Sequence, residues 1–304
     1  MLIYAHKPVQ GRPCPDAGHH TTVKQKLETI RGNMEQAIWT SNSALFDEHD
    51  PPPFTIMNPD SDLPLLLVAD HASNRIPARL GDLGLDQDTL LRHIAYDRGT
   101  EALTMQIAER VGCRAVLCNY SRLVVDCNRH LHDGTAILEV SDLTRIPGNE
   151  NLSDAQREAR IAGIYAAYHQ AIEQTLNQLQ QIVAAPALLA VHSFTPRLKM
   201  GDARPWHVGV LWDKDERIAT RLLAHLRQNP DLHVGDNQPY SGKHPADYTI
   251  DTHGEARGLP CASIEIRKDL LADEGMVDQW AQRLIGFAQS LITEPEIFAE
   301  IRSE

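Results

Sequence analysis

Two histidines that each follow a short apolar run are the residues of this sequence best suited to chemistry. The run 65–69 leads into Asp70 and His71, and the run 187–191 leads into His192. Because the carboxyl ends of parallel strands meet along one edge of an open α/β sheet, we expect the two imidazoles to converge. Neutral imidazole is a common zinc ligand, so a divalent metal ion is the simplest group for them to hold.

A catalytic zinc site uses three protein ligands, so a third residue must join the two histidines. Asp97 is the first candidate, because it is a carboxylate on a turn between two predicted helices. Asn74 follows soon after His71, but an amide is a weak zinc ligand, and Asp70 could be either a ligand or an outer partner that orients an imidazole. The alternative for Asp97 is a structural role, in which it pairs with Arg98 or caps a helix.

Glu265 is the candidate general base. It lies in an apolar stretch, 262–267, that predicts a buried strand. Burial raises the pKa of a carboxylate unless a cation compensates, and such a group can move a proton from water to a leaving amine. The alternative is a structural ion pair with Arg267, which lies on the same face of the strand.

Arginines are concentrated in the same segments as these candidates. They are Arg75, Arg98, Arg122, Arg129, Arg197 and Arg267. Arginine binds carboxylates through two parallel hydrogen bonds and keeps its charge when partly buried. The whole chain has a formal charge of −12, so a local arginine cluster favours a small carboxylate-bearing substrate. The same net charge argues against binding to nucleic acid or to anionic membranes.

Strands and helices alternate along most of the chain. Predicted strands cover residues 64–69, 114–118, 122–126, 187–191, 207–212 and 262–267, and the main predicted helices cover residues 100–111, 153–182, 216–227 and 277–292. This alternation predicts an α/β fold with a doubly wound, largely parallel or mixed sheet and helices on both faces. A polar segment, 131–150, predicts a surface loop over the site.

The first 60 residues differ from the rest because prolines and glycines interrupt any regular pattern. We predict an N-terminal arm, loosely structured, over residues 1–60 and a single α/β domain over 61–304. No apolar run approaches the ~20 residues of a membrane span, and the N-terminus lacks the layout of a secretory signal. The five cysteines are odd in number and follow no metal-binding spacing, which predicts reduced thiols in a cytoplasmic protein.

Six segments, in order along the chain, resemble the N-formylglutamate amidohydrolase family. They are Asp70–Asn74 with Ile76–Pro77, His93–Gly99, Tyr120–Arg129, His192–Pro196, Asp236–Gly242 and Ile264–Leu270. That family is similar in fold to the zinc carboxypeptidases, a phosphorylase/hydrolase-like α/β architecture. The resemblance implies zinc-dependent hydrolysis of N-formyl-L-glutamate to formate and glutamate, a late step of histidine degradation.

The resemblance also implies roles for individual residues. His71 and His192 become metal ligands, Asn128 and Arg129 a clamp for the substrate carboxylate, and Glu265 the base that activates water. Asn74 stands where the wider superfamily has glutamate, so the third ligand stays open among Asp97, Asn74 and Asp70. Further candidates for substrate contacts are Arg122, Asn237, Tyr240 and Arg267.

Two other functions remain open at this point. One is a deacylase or carboxypeptidase-like hydrolase that acts on another N-acyl amino acid. The other is a non-catalytic module that binds carboxylated ligands on the same fold. Ser193 lacks the G-x-S-x-G turn of serine hydrolases, which argues against a serine nucleophile.

Overall fold

Nine strands form the framework of the computed structural model, which describes residues 45–243 and 247–300. The described residues belong to one compact unit. The strands are β1 (Phe54–Met57), β2 (Leu65–Ala69), β3 (Arg114–Cys118), β4 (Val140–Ser141), β5 (Thr144–Arg145), β6 (Ala187–Phe194), β7 (Val208–Leu211), β8 (Val234–Asp236) and β9 (Cys261–Arg267).

Seven α-helices accompany these strands in the described part of the chain. They are α1 (Gln87–Leu90), α2 (Thr100–Val111), α3 (Asp154–Arg160), α4 (Ala167–Leu179), α5 (Arg217–Leu226), α6 (Tyr248–His253) and α7 (Glu274–Leu291). Short 3₁₀ turns cover Ala78–Leu80, Pro147–Asn149, Glu255–Arg257, Lys268–Leu271 and Pro295–Phe298.

The main sheet has seven strands in the order β1-β3-β2-β6-β9-β7-β8. Its centre is parallel, since β3, β2, β6 and β9 run in one direction. Antiparallel pairing occurs where β1 joins β3 and where β7 joins β9. The predicted α/β class with a mixed sheet is therefore confirmed. The parallel centre also brings the carboxyl ends of β2, β6 and β9 to one edge.

Helices cover both faces of this sheet. Leu65, Leu67 and Ala69 of β2 share an apolar cluster with α2, α5 and α7. The intervening Leu66 and Val68 are equally buried, and α4 packs against β1, β2 and β3. Burial on both sides explains why β2 is a continuous apolar run rather than an alternating one.

The predicted long helix begins with the expected capping box. The Ser153 side chain accepts a hydrogen bond from the Gln156 N–H, and the Gln156 side chain accepts one from the Ser153 N–H. The helix then passes through a π-helical segment, Ile161–Ala166, between α3 and α4. Such segments insert an extra residue into a helical turn, which changes the face that the following residues present.

The predicted strand over residues 122–126 is wrong. This segment is a series of turns. The carbonyl oxygens of Leu123 and Val124 accept hydrogen bonds from the side chains of Asn149 and Arg160, respectively. Because side chains satisfy these carbonyl groups, the segment needs no neighbouring strand. The apolar run indicated burial correctly but not the backbone conformation.

The predicted domain boundary at residue 60 lies too far along the chain. Phe54–Met57, which the sequence assigned to the arm, pairs with β3 at the edge of the sheet. Leu45 and Phe46 are also buried. The α/β domain therefore begins before residue 60. The prediction of a loose arm over residues 1–44 lies outside the described residues.

Four cysteines, Cys113, Cys118, Cys127 and Cys261, are free and buried in the structure. The fifth, Cys14, lies outside the described residues. None of the helices in residues 45–243 and 247–300 has the length and apolar character that crossing a membrane requires.

Candidate active site

The two histidines singled out from the sequence lie side by side at the edge formed by the strand ends. His71 is the second residue after β2, and His192 belongs to β6, which pairs in parallel with β2. Their ring centroids are 5.1 Å apart, and both residues are 3% exposed. The register of the parallel strands therefore produces the convergence that the sequence predicts.

Asp97 approaches the same point from the turn before α2. Its N–H donates to the His71 carbonyl oxygen over 2.9 Å, which ties the turn to the end of β2. Gly99 supports the turn with a φ of 87°, and a Cβ there would lie 2.6 Å from the Leu271 Cβ. A side chain at position 99 is therefore excluded both by conformation and by space.

The carboxylate of Asp97 faces both imidazoles. Its Oδ2 lies 3.3 Å from His71 Nδ1 and 3.1 Å from His192 Nδ1. Each residue offers one ligand atom, and these three atoms all lie within 4.8 Å of one another. His71, Asp97 and His192 could therefore hold a metal ion.

The outer nitrogen of each imidazole faces a second carboxylate. His71 Nε2 lies 2.7 Å from Asp126 Oδ1, and His192 Nε2 lies 3.1 Å from Asp70 Oδ2. A carboxylate only accepts, so a neutral imidazole that carries its proton on Nε2, toward the outer carboxylate, keeps a lone pair on Nδ1. The two lone pairs then point at Asp97 Oδ2, another acceptor. Such a group of acceptors fits a cation, with outer carboxylates that orient the histidines as in many zinc sites.

The buried charges lead to the same conclusion. Burial by itself lowers the pKa of a histidine, but Asp70 and Asp97 outweigh it and hold the pKa of His192 well above its ordinary value. The pKa of His71 is likewise raised, because Asp126 and Asp97 outweigh both burial and Arg122. The site thus attracts positive charge, as protons or as a metal ion. The residues present fit a divalent cation with nitrogen and oxygen ligands.

The second oxygen of Asp97 has no hydrogen-bond partner among the described residues. Two groups that line the cavity face it at longer range. His93 Nδ1 lies 3.5 Å away and Arg122 Nη1 lies 3.8 Å away. Burial lowers the pKa of His93 to about 4, so this imidazole is neutral near pH 7. His93 and Arg122 therefore lie beside Asp97 Oδ1 without forming a hydrogen bond to it.

Glu265 lies on β9, directly opposite His192 in the parallel register. Its Oε2 has no hydrogen-bond partner among the described residues, and its side chain lines the same cavity as the two histidines. Burial raises the pKa of this carboxyl to about 7, against the opposing effect of His192. A carboxyl with this pKa can both accept and release a proton near neutrality. The proposed alternative, an ion pair with Arg267, does not form, since Arg267 pairs with Asp269 at 2.8 Å.

A cavity of about 590 Å³ opens in front of these groups. Four of the six residues predicted to contact substrate line it, namely Arg122, Asn128, Arg129 and Tyr240. Asp126 accepts hydrogen bonds from Arg122 Nε and Nη2, which fixes the guanidinium beside the histidines. The loop over residues 131–150 contributes Leu138, Ser141 and Asp142 to the wall.

Two predicted substrate contacts lie outside the cavity lining. Arg267 is held by Asp269 and by the carbonyl oxygens of Pro205 and Trp206. Asn237 Oδ1 accepts hydrogen bonds from the backbone of its own loop, at Gly242, and from Trp212. Asn237 therefore shapes the loop that carries Tyr240.

Asn74 also lies away from the proposed metal site. Its side chain donates to the Leu90 carbonyl oxygen over 3.0 Å, and it is absent from the cavity lining. Among the three residues considered for the third ligand position, Asp97 faces both Nδ1 atoms, while Asp70 faces His192 Nε2. The geometry thus separates an inner carboxylate from an outer one.

Sequence reasoning assigned no role to Asp126, His93 or Thr249, although all three contact the site. Asp126 could have been found, because it ends an apolar run just as Asp70 does. Thr249 follows no such pattern, and only the fold brings its hydroxyl to Asp70.

The chain is similar to proteins of known family and known structure. A family model for N-formylglutamate amidohydrolase matches residues 63–272, a range that contains every residue of the site described above. The crystal structure of a gene product from Agrobacterium tumefaciens is 32% identical, covers 83% of this chain and 99% of that chain, and has a TM-score of 0.77. The crystal structure of N-formylglutamate amidohydrolase from Ralstonia eutropha is 22% identical, covers 81% and 99%, and has a TM-score of 0.65. No curated protein matches the chain.

Proposed function

Because this chain belongs to the N-formylglutamate amidohydrolase family, we propose that it hydrolyses the amide of an N-acyl amino acid, with N-formyl-L-glutamate as the preferred substrate. The products would be formate and glutamate, as in a late step of histidine degradation. The free, buried cysteines of the described residues support a reducing, cytoplasmic setting for this reaction.

One observation carries this proposal. His71 Nδ1, His192 Nδ1 and Asp97 Oδ2 converge at the wall of a cavity that Glu265 and two arginines also line. Amide hydrolysis needs a polarised carbonyl group, an activated water and a proton for the leaving nitrogen. The converging residues supply sites for all three.

We assign the ligand positions to His71, Asp97 and His192. Zinc suits this set, because it accepts two imidazoles and a carboxylate and leaves further positions open. A zinc ion held there would supply a Lewis acid that polarises the acyl carbonyl group and lowers the pKa of water. Asp126 and Asp70 face the two Nε2 atoms, and would favour the tautomer that leaves each Nδ1 free to bind the metal ion.

Glu265 moves the proton in this proposal. Its Oε2 takes a proton from the attacking water, whose oxygen forms a bond to the acyl carbon. The carbon–nitrogen bond then breaks, and Glu265 gives the proton to the departing amine nitrogen. The raised pKa of Glu265, about 7, suits a group that must both accept and release a proton.

Arg122, Asn128 and Arg129 hold the substrate carboxylates. Two arginines in one cavity match the two carboxylates of an N-acyl glutamate, because a guanidinium binds a carboxylate through parallel hydrogen bonds. Tyr240 also lines the cavity, and its hydroxyl accepts a hydrogen bond from Arg204 at 2.7 Å. Such fixed contacts contribute to catalysis by orienting the scissile amide.

A second candidate is a deacylase that acts on larger N-acyl amino acids. The cavity volume favours it, since 590 Å³ lies within the range of about 300–1,000 Å³ that encloses drug-sized ligands. Leu138, Leu198 and Leu211 give part of the wall an apolar character that suits a longer acyl chain.

A substrate panel with zinc analysis tests the proposal. The purified protein is supplied with zinc and offered N-formyl-L-glutamate, N-formyl-L-leucine, N-acetyl-L-glutamate and N-hexanoyl-L-glutamate, and release of free amine is measured. We expect the highest kcat/KM for N-formyl-L-glutamate, with about one zinc per chain. The double variant His71→Ala/His192→Ala should lose both zinc and activity. A higher kcat/KM for the hexanoyl compound would favour the second candidate, and activity without any bound metal would overturn the metal assignment.

A further inference from the structure

Thr249 joins two parts of the site that the sequence keeps far apart. It is completely buried, and it lies in the first turn of α6. Its Oγ1 donates to Asp70 Oδ1 over 2.6 Å. Its backbone N–H donates to Asn128 Oδ1 over 3.1 Å. One residue therefore contacts both the outer carboxylate of the proposed metal site and the proposed carboxylate clamp.

Asp70 is held by a hydrogen bond at one oxygen and faces an imidazole with the other. Thr249 binds Oδ1, while Oδ2 faces His192 Nε2 at 3.1 Å. A carboxylate that is hydrogen-bonded at one oxygen cannot rotate without breaking that hydrogen bond. The position of Thr249 therefore fixes the orientation of Asp70 Oδ2 relative to the His192 imidazole. The hydroxyl therefore acts on His192 through one intervening group.

The turn that carries Thr249 is itself anchored to the strand of the proposed base. Asp247 caps α6, since its Oδ1 accepts from the Ile250 N–H over 3.2 Å. The other oxygen of Asp247 accepts from Ser263 Oγ on β9, two residues before Glu265. Thr249 is thus held relative to β9 and does not merely follow a surface loop.

We propose that Thr249 is a positioning residue that aligns His192 through Asp70 for metal binding while it holds Asn128 in place beside the substrate. This inference rests on the proposed function for the identity of the site. In this inference Thr249 acts through two other residues. Its hydroxyl positions Asp70, which faces the metal ligand His192, and its backbone N–H positions Asn128, which contacts the substrate.

Because the tasks are divided between side chain and backbone, a side-chain variant separates them. Thr249→Val removes the hydroxyl but keeps the shape and the backbone N–H, so Asn128 keeps its partner while Asp70 Oδ1 loses its own. Loss of an outer partner in a metal site typically lowers metal affinity about 10- to 100-fold. The KM for N-formyl-L-glutamate at saturating zinc should stay within about threefold of the parent value, because the substrate contacts are retained.

The experiment compares zinc affinity in four proteins: the parent, Thr249→Val, Thr249→Ser and Thr175→Val. Thr175 is a matched control, because it is also buried and its hydroxyl donates to a backbone oxygen within α4 over 2.7 Å. Zinc is titrated into metal-free protein against a competing chelator, and thermal unfolding of each protein checks the fold. We expect weaker zinc binding in Thr249→Val by about 10- to 100-fold, and parent-like binding in Thr249→Ser and Thr175→Val.

Two results would overturn the inference. One is a zinc affinity of Thr249→Val equal to that of the parent, and the other is an equal loss in Thr175→Val, which would indicate a general effect of removing a buried hydroxyl. If Thr249→Val does not fold, Thr249→Ala replaces it in the same comparison.

The outcomes distinguish this inference from the proposed function. If the parent protein binds zinc but hydrolyses no N-acyl amino acid, the proposed function is excluded. The comparison of zinc affinities still tests the role of Thr249. If the parent protein hydrolyses N-formyl-L-glutamate and Thr249→Val binds zinc as tightly as the parent, only the inference about Thr249 is excluded. A parent protein that binds no zinc overturns both.

Discussion

Asp126 links His71 to Arg122 through its two carboxylate oxygens. Oδ1 lies 2.7 Å from His71 Nε2, and Oδ2 accepts from both Nε and Nη2 of Arg122. His71 and Asp126 are buried and Arg122 is half-buried beside them, and Arg122 and His71 outweigh burial to hold the pKa of Asp126 far below its ordinary value. One carboxylate thus orients a proposed metal ligand and a proposed substrate contact at the same time.

The first prediction follows from this link. Asp126→Asn keeps an oxygen that can accept from His71 but removes the charge, so we expect zinc affinity to fall about 10- to 100-fold. Arg122 also loses its ion pair, so KM for N-formyl-L-glutamate should rise. Chelator competition and steady-state kinetics measure the two effects. Asp278→Asn is the control, since Asp278 lies at the surface of α7, where it pairs with Arg110 and accepts a hydrogen bond from Gln282. Unchanged zinc affinity in Asp126→Asn would remove Asp126 from the metal site.

The second prediction concerns the third ligand. Asp97→Ala should abolish stoichiometric zinc binding, because Asp97 Oδ2 is the carboxylate oxygen that faces both Nδ1 atoms. Asn74→Ala should keep zinc, because the Asn74 side chain is engaged with the Leu90 carbonyl oxygen. Elemental analysis of the purified variants tests both. Zinc retained in Asp97→Ala and lost in Asn74→Ala would reverse the assignment.

The third prediction concerns the proposed base. Glu265→Gln keeps the size of the side chain but cannot accept a proton, so kcat should fall about 10²- to 10⁴-fold. Zinc content should not change, because Glu265 is outside the three residues that converge on one point. Parallel measurement of kcat and zinc content decides the matter. Loss of zinc would make Glu265 a ligand, and an unchanged kcat would exclude it as the base.

The fourth prediction concerns substrate selectivity. Arg129→Ala should raise KM for N-formyl-L-glutamate much more than for N-formyl-L-leucine, because Arg129 lines the cavity and would bind a carboxylate that leucine lacks in its side chain. Arg267→Ala should change neither value by more than about twofold, since Arg267 pairs with Asp269 outside the cavity lining. An equal rise in KM for both substrates in Arg129→Ala would assign Arg129 elsewhere, for instance to the common α-carboxylate.

The fifth prediction concerns stability at low pH. His169 Nδ1 lies 3.1 Å from His253 Nε2 in a buried contact between α4 and α6. Burial lowers the pKa of His169 to about 4, and burial together with His169 lowers the pKa of His253 to about 3, from an ordinary value of 6.5. Between about pH 4 and 6.5 the unfolded chain therefore binds more protons than the folded one, and the free energy of unfolding decreases as the pH falls.

Urea unfolding of the parent and of His253→Asn from pH 8 to pH 4 tests this effect. Each buried histidine contributes a slope of at most about 1.4 kcal/mol per pH unit. The difference between the two proteins should be constant above pH 7 and should change below about pH 6.5, where only the parent must protonate His253 on unfolding. Parallel curves over the whole range would mean that His253 is already protonated in the folded protein.

Local sequence patterns were sufficient to predict the central strands and the main helices of this protein. The runs at 65–69 and 187–191 predicted buried parallel strands, because side chains that are covered on both faces of a sheet must all be apolar. Ser153 and Gln156 predicted a helix start, because a capping box satisfies backbone donors within a single turn. These features depend on near neighbours in the chain, and the same runs indicated where His71 and His192 would meet.

Only the tertiary structure decided which distant groups complete the site. Thr249 reaches Asp70 across 179 residues, and the turn before α2 brings Asp97 beside both histidines while Asn74 lies away from them. The segment 122–126 has the composition of a strand, yet side chains from Asn149 and Arg160 satisfy its carbonyl groups instead. In each case the contact depends on packing between elements that are remote in sequence. A local pattern carries no information about which remote side chain will lie beside a given residue.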